Sequence, residues 1–99
     1  MDVLFLLQGQ QFVWDSEKAS ANLKKHGVSF EVACQVFFDP FLRIEDASDG
    51  DELRDGAIGM SEDWKILFVV HVVCERSAIR MISARPATAQ ERRAYEDND

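Results

Sequence analysis

Ile66-Leu67-Phe68-Val69-Val70-His71-Val72-Val73-Cys74, the turn Glu75-Arg76-Ser77, and Ala78-Ile79-Arg80-Met81-Ile82-Ser83-Ala84-Arg85 decide the fold. The first run is almost wholly β-branched, aromatic or otherwise apolar, as a central strand covered on both faces requires. Its nine residues include a histidine and fall far short of the roughly 20 that span a bilayer. The second run follows a short turn and is predicted to be the antiparallel neighbour of the first. Arg80 and Arg85 are five residues apart, which points them to opposite sheet faces if no bulge intervenes.

Upstream, Asp55 to Met60 is predicted as a weaker strand with a frayed or bulged start, because Gly56 and Gly59 interrupt it. Phe41 to Asp46 alternates as a half-exposed strand does, and the acidic, glycine-containing segment 47–53 reads as a loop. At the front, Val3 to Leu7 and Phe12 to Trp14 flank Gln8-Gly9-Gln10-Gln11, the pattern of a hairpin. Asp15 or Ser16 then caps a helix running to His26, with Gly27 just past its end. Ser29 caps a second helix with Phe30, Ala33 and Phe37 as its apolar stripe, stopped by Asp39-Pro40. After Pro86, Thr88 and Glu91 have capping-box spacing and open a helix through Tyr95. The order β-β-α-α-β-β-β-β-α describes an α+β fold. It is a mostly antiparallel sheet packed by two helices near the N-terminus and one at the C-terminus.

The chain has 99 residues, 46% apolar and 29% charged, with seven Phe and only two Pro, which excludes disorder and fits one domain over 1–99. Residues 96–99 are expected to form a disordered tail. Met1 to Leu7 carries Asp2 where a signal peptide has positive charge, so it reads as a first strand and the chain is placed in the cytoplasm, without a membrane span. Cys34 and Cys74 are set among apolar residues and suit packed, reduced thiols better than a disulfide or a zinc site. The net charge of −7 argues against nonspecific nucleic-acid binding. It is uneven, however: residues 39–64 hold nine acids against Arg43 and Arg54. Residues 65–90 hold Lys65, Arg76, Arg80 and Arg85 against Glu75 alone, so a basic site on an acidic body is compatible with the sequence.

There is no phosphate-binding glycine loop, HExxH, GxSxG or CxxC motif. His71, in the most apolar strand, reads as a core histidine. His26, in Lys24-Lys25-His26-Gly27, complements a helix C-terminus, worth about 0.3–1 kcal/mol, or supplies a titratable group near working pH. Arg80 and Arg85 read either as partners of carboxylates or as planar bidentate contacts to an anion such as phosphate. Glu52 and Arg54 read as loop charges, and Arg92-Arg93 as a solvated helix face.

Phe12-Val13-Trp14-Asp15, Glu17-Lys18-Ala19, Asn22 and Lys25-His26-Gly27-Val28-Ser29-Phe30-Glu31, with Ala33, Val36-Phe37 and Asp39-Pro40, resemble the front half of the BrnT family of toxins. Arg54, Leu67-Phe68-Val69-Val70, Ile79-Arg80-Met81-Ile82-Ser83-Ala84-Arg85, Ala87, Glu91-Arg92 and Tyr95 resemble its back half, so the likeness covers residues 12–95. The resemblance implies a RelE-like fold and a type II toxin that cleaves RNA without a metal or other cofactor and inhibits translation. It also implies a BrnA-type antitoxin with a ribbon-helix-helix region, assembled with the toxin as a heterotetramer that reaches operator DNA only through the antitoxin. Lys25, His26, Arg54, Arg80 and Arg85 occupy the family's charged motif positions and are the expected catalytic set, with Glu52 and Tyr95 as weaker candidates. In that chemistry a base takes the ribose 2′-hydroxyl proton, cations stabilise the pentavalent phosphate and an acid protonates the leaving oxygen. His26 is expected to be base or acid, Arg80 and Arg85 to stabilise phosphate, and Lys25 and Arg54 to position the backbone. The alternative is a catalytically weak homologue serving as the non-DNA-binding half of an autorepressor complex. A plain structural homodimer is a third reading.

Overall fold

The structure is a computed structural model and describes residues 1–97. Six strands form one sheet in the order β1-β2-β6-β5-β4-β3. β1 (Asp2–Leu7) and β2 (Gln10–Asp15) make the expected hairpin, closed by a two-residue turn in which Gln8 and Gly9 both have positive φ, 50° and 82°. The chain thus begins with strands, and its two front helices follow them. α1 (Ser16–His26) is capped by Asp15, whose carboxylate accepts the Lys18 N–H at 3.0 Å, and it ends where the Gly27 N–H reaches the Leu23 carbonyl. α2 (Phe30–Ala33), capped by Ser29, is a single turn that tightens into a 3₁₀ segment over Cys34–Phe38, where one longer helix was expected.

β3 (Arg43–Asp46), β4 (Asp55–Met60), β5 (Ile66–Val73) and β6 (Ile79–Pro86) follow, then α3 (Ala89–Glu96), whose Thr88–Glu91 capping box is complete. The sheet is mixed rather than all antiparallel, because β2 pairs with β6 in parallel through Phe12–Ile79 and Val13–Arg80. β4 is not frayed: it pairs with β5 from Asp55–His71 to Met60–Ile66 without a register shift. Its glycines are contact requirements. A Cβ on Gly56 would come within 2.5 Å of the Phe68 ring, and one on Gly59 within 2.9 Å of Val36 Cβ.

α1, α2 and the 3₁₀ segment cover one face of the sheet, burying Phe12, Trp14, Phe30, Val36, Leu67, Val69 and Met81. α3 lies toward the other face, against β4. Beyond Arg80, β6 has no β2 partner, and the buried Asn22 side chain of α1 takes that place. Its amide donates to the Ala84 and Val28 carbonyls at 2.8 and 3.0 Å and accepts the Ala84 N–H at 3.0 Å. One side chain thereby satisfies the edge of a strand and fixes the angle of α1. Both cysteines are free thiols, and burial pushes the Cys34 thiol well up from its ordinary value. No helix of the described residues is long and apolar enough to cross a membrane.

Candidate active site

A bulge in β6 arranges the two arginines. The pairing with β5 shifts between Val70 and His71, so that Ser83 faces Val70 and Met81 faces His71, leaving an extra β6 residue. Ile79, Met81 and Ala84 consequently all enter the core, and Arg80 and Arg85 share the opposite face. They do not share a site: with the bulge they lie opposite Phe68 and Val72, and four steps at roughly 3.3 Å each set them about 13 Å apart along the strand.

At one end, Arg80 sits beside Val72 and donates to Asp2 at 3.0 Å. That hydrogen bond holds the Asp2 carboxyl below its ordinary value and raises Arg80 further. Arg54 lies at the same end, in a concavity with Val72 and Val73, and is paired with Glu52 at 2.5 Å. This is also where the acidic loop folds, with Asp49 and Glu52 closing on each other in a small bridge.

At the other end, Arg85 makes two hydrogen bonds to Glu91 of α3, 2.7 and 2.8 Å, and its guanidinium lies 4.5 Å above the Phe68 ring. The Glu91 hydrogen bond raises the Arg85 pKa, and the same bond holds Glu91 below its ordinary value. Tyr95 donates its hydroxyl to Asp39; burial and that bond push its pKa up to about 12. Burial raises the Asp39 carboxyl, but hydrogen bonds from Tyr95, Phe41 N–H and Met60 N–H outweigh it and leave the group low. Both residues are therefore committed to holding α3 in place. His71 is a core histidine, 4.8 Å from the Phe37 ring centre, and burial lowers its pKa.

His26 lies elsewhere. It is half-buried on the last turn of α1, with Lys25 exposed beside it, and opens into a cleft of about 480 Å³. The cleft lies between the end of α1, the β4–β5 turn and the segment leading into α3. Lys65 and Arg92 line it with His26, above an apolar floor that includes Val28, Leu67 and Pro86. Lys65 has only a distant, exposed carboxylate, Asp63 at 3.8 Å, and Arg92 makes no ion pair among the described residues. A second concavity of the same volume, bordered by Gln35, Asp39 and Glu62, has no basic side chain in its lining.

Of the expected set, then, Lys25, His26 and Arg85 lie toward one end, and Arg54, Glu52 and Arg80 lie together at the other. Lys65, Trp64 and Arg92 belong to the His26 cleft although sequence reading did not single them out as a site. Arg92 is not merely a solvated position; it faces the imidazole's cleft from a helix 66 residues further along the chain. Among the described residues, no three His, Cys, Asp or Glu side chains converge as metal ligands.

A family model described as the ribonuclease toxin, BrnT, of type II toxin–antitoxin systems matches residues 14–91. Comparison with curated proteins gave no match. The match covers most of the chain, and the chain belongs to this family.

Proposed function

We propose that this ribonuclease toxin cuts RNA in the His26 cleft, without a metal ion. One observation carries the reading: an imidazole, a lysine and an arginine from three distant segments line one cleft, whereas Arg54 and Arg80 are each held by an acid at 3.0 Å or less. A phosphate entering the cleft meets Arg92, which makes no ion pair among the described residues, and Lys65, whose one ion-pair partner is the exposed Asp63 at 3.8 Å on the same cleft. The same cations disfavour a divalent metal, which leaves acid–base chemistry as the route.

In this mechanism His26 takes the 2′-hydroxyl proton, and the resulting oxygen attacks the adjacent phosphorus. Lys65 and Arg92 stabilise the charge that builds on the phosphoryl oxygens. The P–O5′ bond breaks, leaving a 2′,3′-cyclic phosphate, and the departing 5′-oxygen takes a proton from Lys65, which regains one from water. Lys25 attracts the flanking backbone from the rim. Arg85 acts through Glu91: the pair fixes the first turn of α3 and with it Arg92.

Membership of a type II family implies an antitoxin partner. We assign that role to a BrnA-type ribbon-helix-helix protein, in a heterotetramer that reaches operator DNA through the antitoxin. The cytoplasm is the compartment where such a pair meets RNA, and the sheet with front-loaded helices is read as RelE-like. Translation falls as RNA is cut. Analysis of the product ends in the presence of EDTA tests the chemistry. The expected products carry a 2′,3′-cyclic phosphate and a 5′-hydroxyl, unchanged by chelation. Activity abolished by EDTA and restored by a divalent cation overturns the mechanism; no cleavage by the wild-type protein under any condition favours the autorepressor alternative.

A further inference from the structure

The β4–β5 turn holds a residue that neither the fold nor the proposed acid–base chemistry uses. Trp64 is 83% exposed and has φ +65°, a conformation costly for any residue with a Cβ and relaxed for glycine. Burial does not explain it. The other tryptophan, Trp14, is 2% exposed and packs edge-on to Phe30 at 5.7 Å.

The turn that carries Trp64 is rigidly built. Ser61 N–H donates to the Lys65 carbonyl at 2.9 Å, Trp64 N–H donates to the Ser61 carbonyl at 3.0 Å, and the buried Ser61 hydroxyl reaches the Asp63 carboxylate. The indole is therefore presented from a fixed backbone. It borders the cleft that holds His26, Lys65 and Arg92, and it also borders the neighbouring concavity on the other side of the turn.

The geometry points to Trp64 as a stacking platform for an unpaired nucleobase of the RNA, next to the phosphate held by Lys65 and Arg92. This rests on the reading that the His26 cleft is the RNA site. Single-stranded RNA is bound where cations follow its backbone and aromatic rings receive its bases, and any base offers a π-face. An exposed ring on a stiff turn, next to Lys65 in the chain and bordering the cleft that Arg92 also lines, meets both needs. A ring in a fixed place also selects single strands over duplex, whose bases are already stacked.

The test uses an oligoribonucleotide methylated at its 2′-oxygens, which the proposed chemistry does not cleave. Affinity of every variant is read from the fluorescence anisotropy of a dye on the oligonucleotide, and because Trp14 is buried, quenching of exposed tryptophan emission in protein that keeps Trp64 reports contact at that ring. The wild-type protein is expected to be quenched on binding. Trp64→Phe keeps most of the affinity, and Trp64→Gly lowers it by about 5- to 100-fold, the range for loss of one stacked base. Trp64→Gly should at the same time raise the thermal midpoint by about 4–8 °C, because glycine relieves the positive φ. A fall in affinity with a rise in stability separates lost stacking from a damaged fold.

Binding within about twofold of wild type in Trp64→Gly, with Arg92→Ala strongly weakened, overturns the platform and leaves the cleft reading standing. Unchanged binding in both variants overturns both. Loss of antitoxin binding by Trp64→Gly with RNA binding intact overturns the platform in favour of a protein contact.

Discussion

Arg85 at the end of β6 and Glu91 in the first turn of α3 meet through two parallel hydrogen bonds, 2.7 and 2.8 Å, with the arginine stacked on Phe68. The pair is partly buried, at 33% and 16% side-chain exposure, so it is screened less than a surface ion pair. Arg85→Ala and Glu91→Gln are each expected to cost about 1–3 kcal/mol. Their effects should be non-additive, with a coupling of about 1–2 kcal/mol in a double-mutant cycle followed by urea unfolding. Arg85→Lys should recover little, since an ammonium keeps neither the second hydrogen bond nor the planar stack.

The same contacts predict opposite pH limits. Glu91 has a depressed pKa, so its contribution is present above the ordinary value of 4.5 and is lost as pH falls below it; Glu91→Gln should flatten that acid limb. Tyr95 has a raised pKa, so its contribution is full below 10.0 and is lost as pH climbs to about 12. Thermal midpoints measured across both ranges should show an alkaline decline in the wild-type protein that Tyr95→Phe lacks.

Asn22→Leu should be more damaging than a typical core substitution. It leaves the Ala84 N–H, the Ala84 carbonyl and the Val28 carbonyl without their partner, and a cost of about 2–4 kcal/mol is expected. Asn22→Asp should fail similarly, because a carboxylate accepts but cannot donate to the two carbonyls. Hydrogen exchange at Ala84 N–H is the local readout, and it should accelerate in both variants.

Gly59→Ala tests why β4 contains glycines. The new methyl would meet Val36 Cβ at 2.9 Å and the Val36 carbonyl at 3.0 Å, and backbone cannot swing aside as a side-chain tip can. A loss of about 1–3 kcal/mol is expected from equilibrium unfolding.

These contacts mark what the sequence revealed. Features set by neighbours in the chain were legible: a helix cap at Asp15 or Ser16, the Ser29 and Thr88–Glu91 caps, a glycine-containing hairpin turn within residues 8–11, and both long strands. The short turn and the following run that identified β6 could not show its bulge, because one extra residue changes the facing of every later side chain without changing composition. Gly56 and Gly59 read as weaknesses since their partners, Phe68 and Val36, are distant in sequence. The proposed site was half visible. His26 stood out by its setting, but its cleft is completed by the β4–β5 turn and by α3, and no local pattern joins position 26 to positions 65 and 92.

The proposed place of RNA cleavage is the His26 cleft and not the Arg54–Arg80 end. Single-turnover cleavage of a single-stranded oligoribonucleotide in EDTA tests it most directly, with folding of each variant checked by circular dichroism. His26→Ala should slow cleavage by about 10²–10⁴-fold and Arg92→Ala by about 10- to 10³-fold, with Arg80→Ala within about threefold of wild type. Wild-type rates in His26→Ala and Arg92→Ala, together with loss of cleavage in Arg80→Ala, would contradict it and move the site to the face of the sheet beside Val72.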